Sequence, residues 1–176
     1  MKKYKIGIVV GRFQTLHTGH LHIIDELIDK CDIPIVVIGS SNKSRTPDNP
    51  FTIEERTSFL RTVYGTDITI FAVPDRKTVV NDNSWGEYLI EKLGFKPDVI
   101  ISGDEPIRNS WFEKLNIKEE FIPKSDCGNI SATKLRELML AGNYDEWKEY
   151  IHPKLRSQFE NMKKILEDIQ KGNKYE

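Results

Sequence analysis

The sequence predicts an α/β fold in which a doubly wound parallel sheet of about five strands is followed by C-terminal helices. Two observations predict this fold. Short apolar, β-branched runs alternate with amphipathic stretches, and each apolar run has the length of a strand that is buried on both faces. The 176 residues fit one domain, 1–176, in which residues 144–176 form a helical extension.

Five apolar runs predict the strands in chain order. The first reads KIGIVV at residues 5–10, and the second reads IPIVVIG at 33–39. ITIFAV at 68–73 and DVIIS at 98–102 predict the third and fourth, and a shorter fifth strand is expected at 119–123. Near-continuous apolar runs of this kind are typical of parallel strands covered on both faces.

Helices are predicted from apolar residues at helical spacing and from signals at their ends. Thr52 and Glu55 predict a capping box, and Ser84 and Glu87 predict another for a helix that stops near Gly94. The predicted helices are 19–31, 52–64, 84–94, 105–115, 131–142 and 153–170, the last with Pro153 as its first residue. The alternation is Rossmann-like, so ligands are expected beyond the carboxyl ends of the strands.

Composition narrows the classes of function. Hydrophobic residues make up 38% of the chain and charged residues 30%, which suits one packed core and excludes disorder. The formal net charge is -1, so no basic field favours nucleic acid as a partner. Cys31 and Cys127 form neither a disulfide framework nor a metal cluster, and one is expected to pack as a small apolar residue. No apolar run has the length of a membrane helix or the pattern of a signal peptide. We therefore expect a cytoplasmic protein that does not bind membranes. A homo-oligomer is compatible with the sequence.

A phosphate site is predicted directly after the first strand, where GRFQTLHTGH occupies residues 11–20. Gly11 would let a ligand approach the backbone, and the following helix start offers unpaired N–H groups. Gly19 leaves room for a phosphate, and His17 and His20 can converge on it as donors. The alternative is a pair of surface histidines in a loop, but the glycine between them and the buried strand before them favour the phosphate site.

A second anion site is predicted where NISATKLR opens a helix at residues 129–136. Ser131 and Thr133 bring hydroxyl and N–H groups to the helix start, beside Asn129. Arg136 shares a helical face with Thr133, and its guanidinium can hold two phosphates in a fork. Taken alone, an N-cap followed by one solvated arginine explains the segment equally well.

These motifs resemble those of a known superfamily. The HxGH string after a strand resembles the signature of the nucleotidylyltransferases, and GRFQ-x-x-HxGH is similar to nicotinamide mononucleotide adenylyltransferases of the archaeal and viral type, in which proline commonly stands at the position of Thr15. ISATKLR resembles the second signature of the superfamily, with Ala132 in place of a serine. The segments IGS at 38–40 and NPFT at 49–52 also resemble the archaeal type, and the resemblance spans residues 6–147.

The resemblance implies that ATP and nicotinamide mononucleotide react to give NAD and pyrophosphate, by in-line attack of the acceptor phosphate on the α-phosphorus of ATP. It implies Mg²⁺ held by substrate phosphates, with no metal site built from protein alone. The catalytic residues are expected to be His17, His20 and Arg136. The expected ATP contacts are Gly11, Arg12, Phe13, Gln14, Gly19, Arg45, Gly103, Asp104, Asn129, Ser131 and Thr133.

The acceptor is expected beside Trp85, because a tryptophan at a helix start near the strand ends can stack on a flat ring. The resemblance links this tryptophan to the nicotinamide ring, with Asp82 and Asn83 beside it. Trp111 and Trp147 are interpreted as packing residues, and Lys43 as a solvated loop charge.

Two other functions stay open. The same fold can serve another acceptor: nicotinate mononucleotide, phosphopantetheine, or a polyol phosphate that receives a cytidylyl group. The GRFQ string and the Trp85 region disfavour the last two acceptors. A nucleotide-binding regulator without turnover is the other alternative, and the presence of His17, His20 and Arg136 disfavours it.

Overall fold

Five parallel strands form one sheet in the computed structural model, which describes residues 1–77, 84–103, 111–123 and 130–172. The strands are β1 (Tyr4–Gly11), β2 (Cys31–Ile38), β3 (Thr69–Ala72), β4 (Val99–Ser102) and β5 (Lys118–Phe121). Their order in the sheet is β3-β2-β1-β4-β5, and every neighbouring pair is parallel. The chain therefore winds outward from β1 in both directions, and the order reverses between β1 and β4. This confirms the predicted Rossmann-like α/β fold.

The helices are α1 (Thr18–Lys30), α2 (Ile53–Tyr64), α3 (Trp85–Leu93), α4 (Ala132–Leu140), α5 (Tyr144–Trp147) and α6 (Phe159–Gln170). The capping box of Thr52 and Glu55 is present at the start of α2, as predicted. Ser84 precedes α3, but its side chain makes no capping hydrogen bond, because its backbone (φ -86°, ψ 5°) is not in the extended region that this bond requires.

The C-terminal segments differ in detail from the prediction. Pro153 opens a 3₁₀ helix, Pro153–Gln158, and the α-helix begins only at Phe159. The short α5 was not predicted; the Asn143 side chain caps it by accepting from the Glu146 N–H group. Of the helix predicted at 105–115, residues 105–110 lie outside the described part, and the rest contains the 3₁₀ turn Glu113–Leu115.

The sheet is covered on both faces by apolar side chains. Neighbouring residues of one strand point to opposite faces, so Ile8 and Val9 of β1 join different apolar clusters. The larger cluster takes in α1, α2, α4 and α6, and the smaller one takes in α3. Cys31 is fully buried in the larger cluster, as expected for a small apolar residue, and burial raises the pKa of its thiol to about 11; Cys127 lies outside the described part. In the ranges that the structure describes, no helix combines the length and apolarity that crossing a bilayer requires.

Candidate active site

A cavity of about 480 Å³ opens at the carboxyl ends of β1 and β4, where the strand order reverses. Both sequence motifs line it. The predicted site residues on its wall are Gly11, Arg12, Phe13, Gln14, His17, Gly19, His20, Trp85, Gly103, Ser131, Thr133 and Arg136. Asp82, Asn83, Asp104 and Asn129 lie outside the described residues.

The two histidines of the first motif stack on each other at the start of α1. Their ring centroids are 3.7 Å apart, and the ring planes differ by 28°. The backbone N–H group of His17 donates to Nδ1 of His20 at 3.3 Å. Because Nδ1 accepts this bond, the hydrogen of a neutral His20 ring is carried by Nε2, which makes that nitrogen a donor. The structure thus brings together the predicted histidine pair and gives His20 the tautomer that suits an anion.

Gly11 lies against the Phe13 ring as well as on the cavity wall. A Cβ atom at Gly11 would lie 2.9 Å from that ring, so glycine here makes room for Phe13; its contact with a ligand stays a prediction. Phe13 is 1% exposed, has a φ of 52°, and packs edge-on against His20 at 4.9 Å. Gly103 is similar, since a Cβ there would lie 2.5 Å from the side chain of Ile23. Both glycines line the cavity, and the lack of a side chain at each of them lets a neighbouring side chain pack there.

Gln14 has a structural role that the sequence analysis missed. Its buried side-chain amide donates to the carbonyl of Phe51 at 3.0 Å and accepts from the Phe51 N–H group at 2.9 Å. With both ends of the amide engaged, the side chain anchors the 49–52 segment, and contact between Gln14 and ATP stays a prediction. The next peptide bond, to Thr15, is cis.

Arg136 joins the two motifs. Its Nη1 atom donates to the main-chain carbonyl of Gln14 at 2.7 Å, and Nη2 donates to Oγ1 of Thr133 at 3.3 Å. The side chain is 12% exposed, and burial lowers the pKa of its guanidinium. Ser131 is the N-cap of α4 and accepts from the Lys134 N–H group. The start of α4 and its arginine therefore face the same cavity as the start of α1.

Arg45, which was expected to contact a phosphate, does not line the cavity. Its guanidinium forms a two-pronged ion pair with Glu55, at 2.7 and 2.8 Å, and donates to the carbonyl of Pro50. A carboxylate at the start of α2 matches the guanidinium fork, which explains why the local pair forms. Arg45 therefore braces the loop before α2.

Asp75 is a cavity residue that was not predicted, and it pairs with two residues that follow β2. It accepts from the Ser40 hydroxyl at 2.9 Å and from the Lys43 ammonium at 2.6 Å. Lys43, expected as a solvated loop charge, is thus an ion-pair partner. Burial raises the pKa of the Asp75 carboxyl, but the hydrogen bonds from Lys43 and Ser40 outweigh it and hold the pKa below its usual value. The position of Asp75 just after the third predicted strand is the sequence signal that could have identified it as a site residue.

Trp85 and Trp111 form an aromatic wall, with ring centroids 4.8 Å apart and Phe112 packed at right angles. All three line the cavity, so the interpretation of Trp111 as a packing residue was incomplete. The pairing depends on Gly86, because a Cβ there would lie 2.0 Å from the Trp111 carbonyl oxygen. Trp147, in contrast, is fully buried, as expected.

The sequence pattern of the cytidylyltransferase-like family matches residues 8–138 of this chain. A nicotinamide-nucleotide adenylyltransferase from Aeropyrum pernix is 33% identical over 162 residues, which cover 88% of this chain and 90% of that protein.

Solved structures resemble the fold. A bifunctional NMN adenylyltransferase/ADP ribose pyrophosphatase from Francisella tularensis superposes with a TM-score of 0.76 at 22% identity, over 97% of this chain and 53% of that one. This chain therefore spans about half the length of that protein. A second structure of the bifunctional protein, complexed with AMP and a manganese ion, has a TM-score of 0.68 at 18% identity over the same shares. With the family pattern over most of its length and a curated relative at 33% identity, the chain belongs to the cytidylyltransferase-like family of nucleotidyltransferases, alongside the nicotinamide-nucleotide adenylyltransferases.

Proposed function

We propose that this chain transfers the adenylyl group of ATP to nicotinamide mononucleotide, giving NAD and pyrophosphate. The observation that carries the proposal is the convergence of the two motifs on one cavity, through the hydrogen bond from Arg136 to the Gln14 carbonyl. The cavity lies where the strand order of the sheet reverses. It is surrounded by the starts of α1 and α4, by the pair His17 and His20, and by the Arg136 guanidinium. This arrangement suits a polyphosphate.

In the proposed reaction, an oxygen of the acceptor phosphate forms a bond to the α-phosphorus of ATP. The bond from that phosphorus to the bridging oxygen breaks, and pyrophosphate leaves with the electron pair. The chain contributes positioning and donors to the developing charge. His20 would donate from Nε2, while the N–H groups at the start of α4 and the Arg136 guanidinium would hold the outer phosphates.

The acceptor ring is assigned to the aromatic wall. The pyridinium ring of nicotinamide mononucleotide is flat and positively charged, and an indole face attracts such a ring. Trp85 and Trp111 present two indoles at the cavity, and Asp75 adds a carboxylate to the cavity lining. The wall accordingly favours a cationic ring over the flexible chain of phosphopantetheine.

A divalent ion, which we propose is Mg²⁺, would be held by substrate phosphates. Its chemistry would be to neutralise phosphate charge. The donor set fits this arrangement, because histidines, hydroxyls and an arginine at the cavity suit phosphate oxygens. The Francisella tularensis structure that is complexed with AMP and a manganese ion supports the use of a divalent metal.

Pyrophosphate release measured over a matrix of donors and acceptors tests the assignment. The donors are ATP and CTP; the acceptors are nicotinamide mononucleotide, nicotinate mononucleotide and phosphopantetheine. We expect the highest kcat/KM for ATP with nicotinamide mononucleotide. A preference for CTP or for phosphopantetheine would contradict the assignment, and a preference for nicotinate mononucleotide would correct the acceptor alone.

A further inference from the structure

Arg56 is a fully buried cation in the first turn of α2, at 0% exposure. Its guanidinium donates only to main-chain carbonyl oxygens in the contacts that the structure describes. The acceptors are the carbonyls of Gly39 (2.9 Å), Arg12 (3.1 Å), Ser40 (3.1 Å), Thr52 (3.3 Å) and Lys43 (3.4 Å). One side chain therefore supplies donors to five carbonyls, of which those of Thr52 and Ser40 also accept from backbone N–H groups.

Three of these carbonyls belong to residues that line the cavity in which the phosphates are proposed to bind. Arg12 follows β1, and Gly39 and Ser40 follow β2; all three line the cavity. Nη1 bridges the two segments, because it donates to Arg12 and to Gly39. Arg56, which is not itself on the cavity wall, thus reinforces the backbone hydrogen bond from Gly39 to Gly11 that joins the two strand ends.

Among the residues that the structure describes, no carboxylate forms a direct ion pair with Arg56. Its hydrogen-bond acceptors are neutral; of the two carboxylates that act on its charge, Glu54 is exposed to solvent and Asp75 pairs with Lys43. A guanidinium stays protonated even when burial lowers its pKa, as it does here. A buried positive charge next to an anion site is more effective than an exposed one, since solvent screens it less.

We propose that Arg56 is a positioning residue for the phosphate site: it holds the ends of β1 and β2 together and adds a buried positive charge behind them that favours the ATP phosphates without touching them. The proposal rests on the phosphate site proposed above. A residue that only stabilises the fold would affect all ligands of the cavity alike. A buried charge behind the phosphates must instead affect ligands in proportion to their negative charge.

The test is the affinity of wild-type and variant protein for adenosine, AMP and ATP, measured by isothermal titration calorimetry. For Arg56→Met we expect ATP affinity to fall by ~10–100-fold, as for loss of a charged group, with a smaller loss for AMP and less than ~3-fold for adenosine. Arg61→Met is the control, because Arg61 lies on the same helix and also donates to two main-chain carbonyls, those of Gly65 and Ile68, away from the cavity. It should leave the three affinities in their wild-type ratio.

Arg56→Lys keeps the charge and loses the fork, so it addresses the case in which Arg56→Met does not fold. We expect it to lose less ATP affinity than the methionine variant, under ~10-fold, while kcat falls by more than affinity because the strand ends are held less firmly. The proposal would be overturned if a folded Arg56 variant lost as much affinity for adenosine as for ATP. It would also be overturned if Arg56→Lys had the same kinetics as Arg61→Lys, the matched substitution on the same helix. Arg136→Ala, measured with the same three ligands, separates the phosphate site from the role of Arg56. If this variant also loses affinity equally for all three ligands, the phosphate site itself is misplaced. If only Arg136→Ala loses more affinity for the more highly charged ligands, the role of Arg56 alone is refuted.

Discussion

The guanidinium of Arg136 donates to the main-chain carbonyl of Gln14 at 2.7 Å, across 122 positions of the sequence. This bond connects the loop after β1 to the first turns of α4. Because the Gln14 side chain is itself clamped to the backbone of Phe51, the arginine is anchored to a buried part of the molecule. The two sequence motifs therefore act as one site.

Arg136→Ala should raise the KM for ATP by ~10–150-fold, which corresponds to a lost charged and forked contact of about 1.5–3 kcal/mol. The KM for nicotinamide mononucleotide should change much less, since the guanidinium is assigned to the outer phosphates of ATP. Steady-state kinetics with each substrate varied in turn measures both values. Arg136→Lys should recover only part of the loss, because lysine lacks the fork. An effect confined to the acceptor would move Arg136 to the other substrate.

His20→Ala should lower kcat by ~10²–10³-fold, the usual loss when one preorganised donor to developing charge is removed. The control is His22→Ala on the same helix, because His22 does not line the cavity. Turnover is measured on protein whose circular dichroism spectrum matches wild type. Near wild-type turnover of folded His20→Ala would exclude His20 from the chemistry.

Trp85→Ala should raise the KM for nicotinamide mononucleotide by ~5–100-fold, the range that ring stacking implies, with little change in the KM for ATP. Trp111→Ala should act in the same direction, since the two indoles form one wall. The control is Trp147→Phe, which removes volume from the fully buried core and should lower the Tm without selecting between substrates. If Trp85→Ala lowered the Tm strongly and raised both KM values together, it would belong to the core.

Glu120 should make stability depend on pH at the acid end. Burial raises the pKa of its carboxyl, but hydrogen bonds from Lys3, Tyr4 and Lys30 outweigh it and hold the pKa at about 2. A folded-state pKa below the unfolded value of about 4.3 adds stability above that pH, and this stability is lost as the pH falls toward the folded value.

The Tm difference between wild type and Glu120→Gln should accordingly be largest near pH 7 and shrink between about pH 4.3 and pH 2. Glu160→Gln, at an exposed position of α6, serves as the control. A difference that stayed constant down to pH 2 would show that the carboxylate charge of Glu120 does not stabilise the fold.

The features that the sequence predicted well depend on residues that are close together along the chain. The strands are continuous apolar runs, and the two motifs sit at helix starts, so GRFQTLHTGH and SATKLR predicted where the cavity lies. The features it missed depend on residues that are distant along the chain. The clamp between Gln14 and Phe51 is one such feature, as is the bridge of Arg56 between two strand ends.

Arg45 shows why residue type alone was not enough. An arginine in a loop near the strand ends suits a phosphate, but here both carboxylate oxygens of Glu55 accept from the Arg45 guanidinium. Trp111 shows the reverse case. Its sequence context gave no reason to place it at the ligand, and only the packing of α3 through Gly86 brings it beside Trp85.

Adenylyl transfer to nicotinamide mononucleotide is tested by following both products in one reaction of the purified wild-type chain with ATP, nicotinamide mononucleotide and Mg²⁺. NAD is quantified by an alcohol dehydrogenase assay and pyrophosphate by a coupled phosphate assay. We expect equal amounts of NAD and pyrophosphate, with formation of both dependent on the acceptor. Binding of ATP without formation of either product, or pyrophosphate release without NAD, would contradict this expectation.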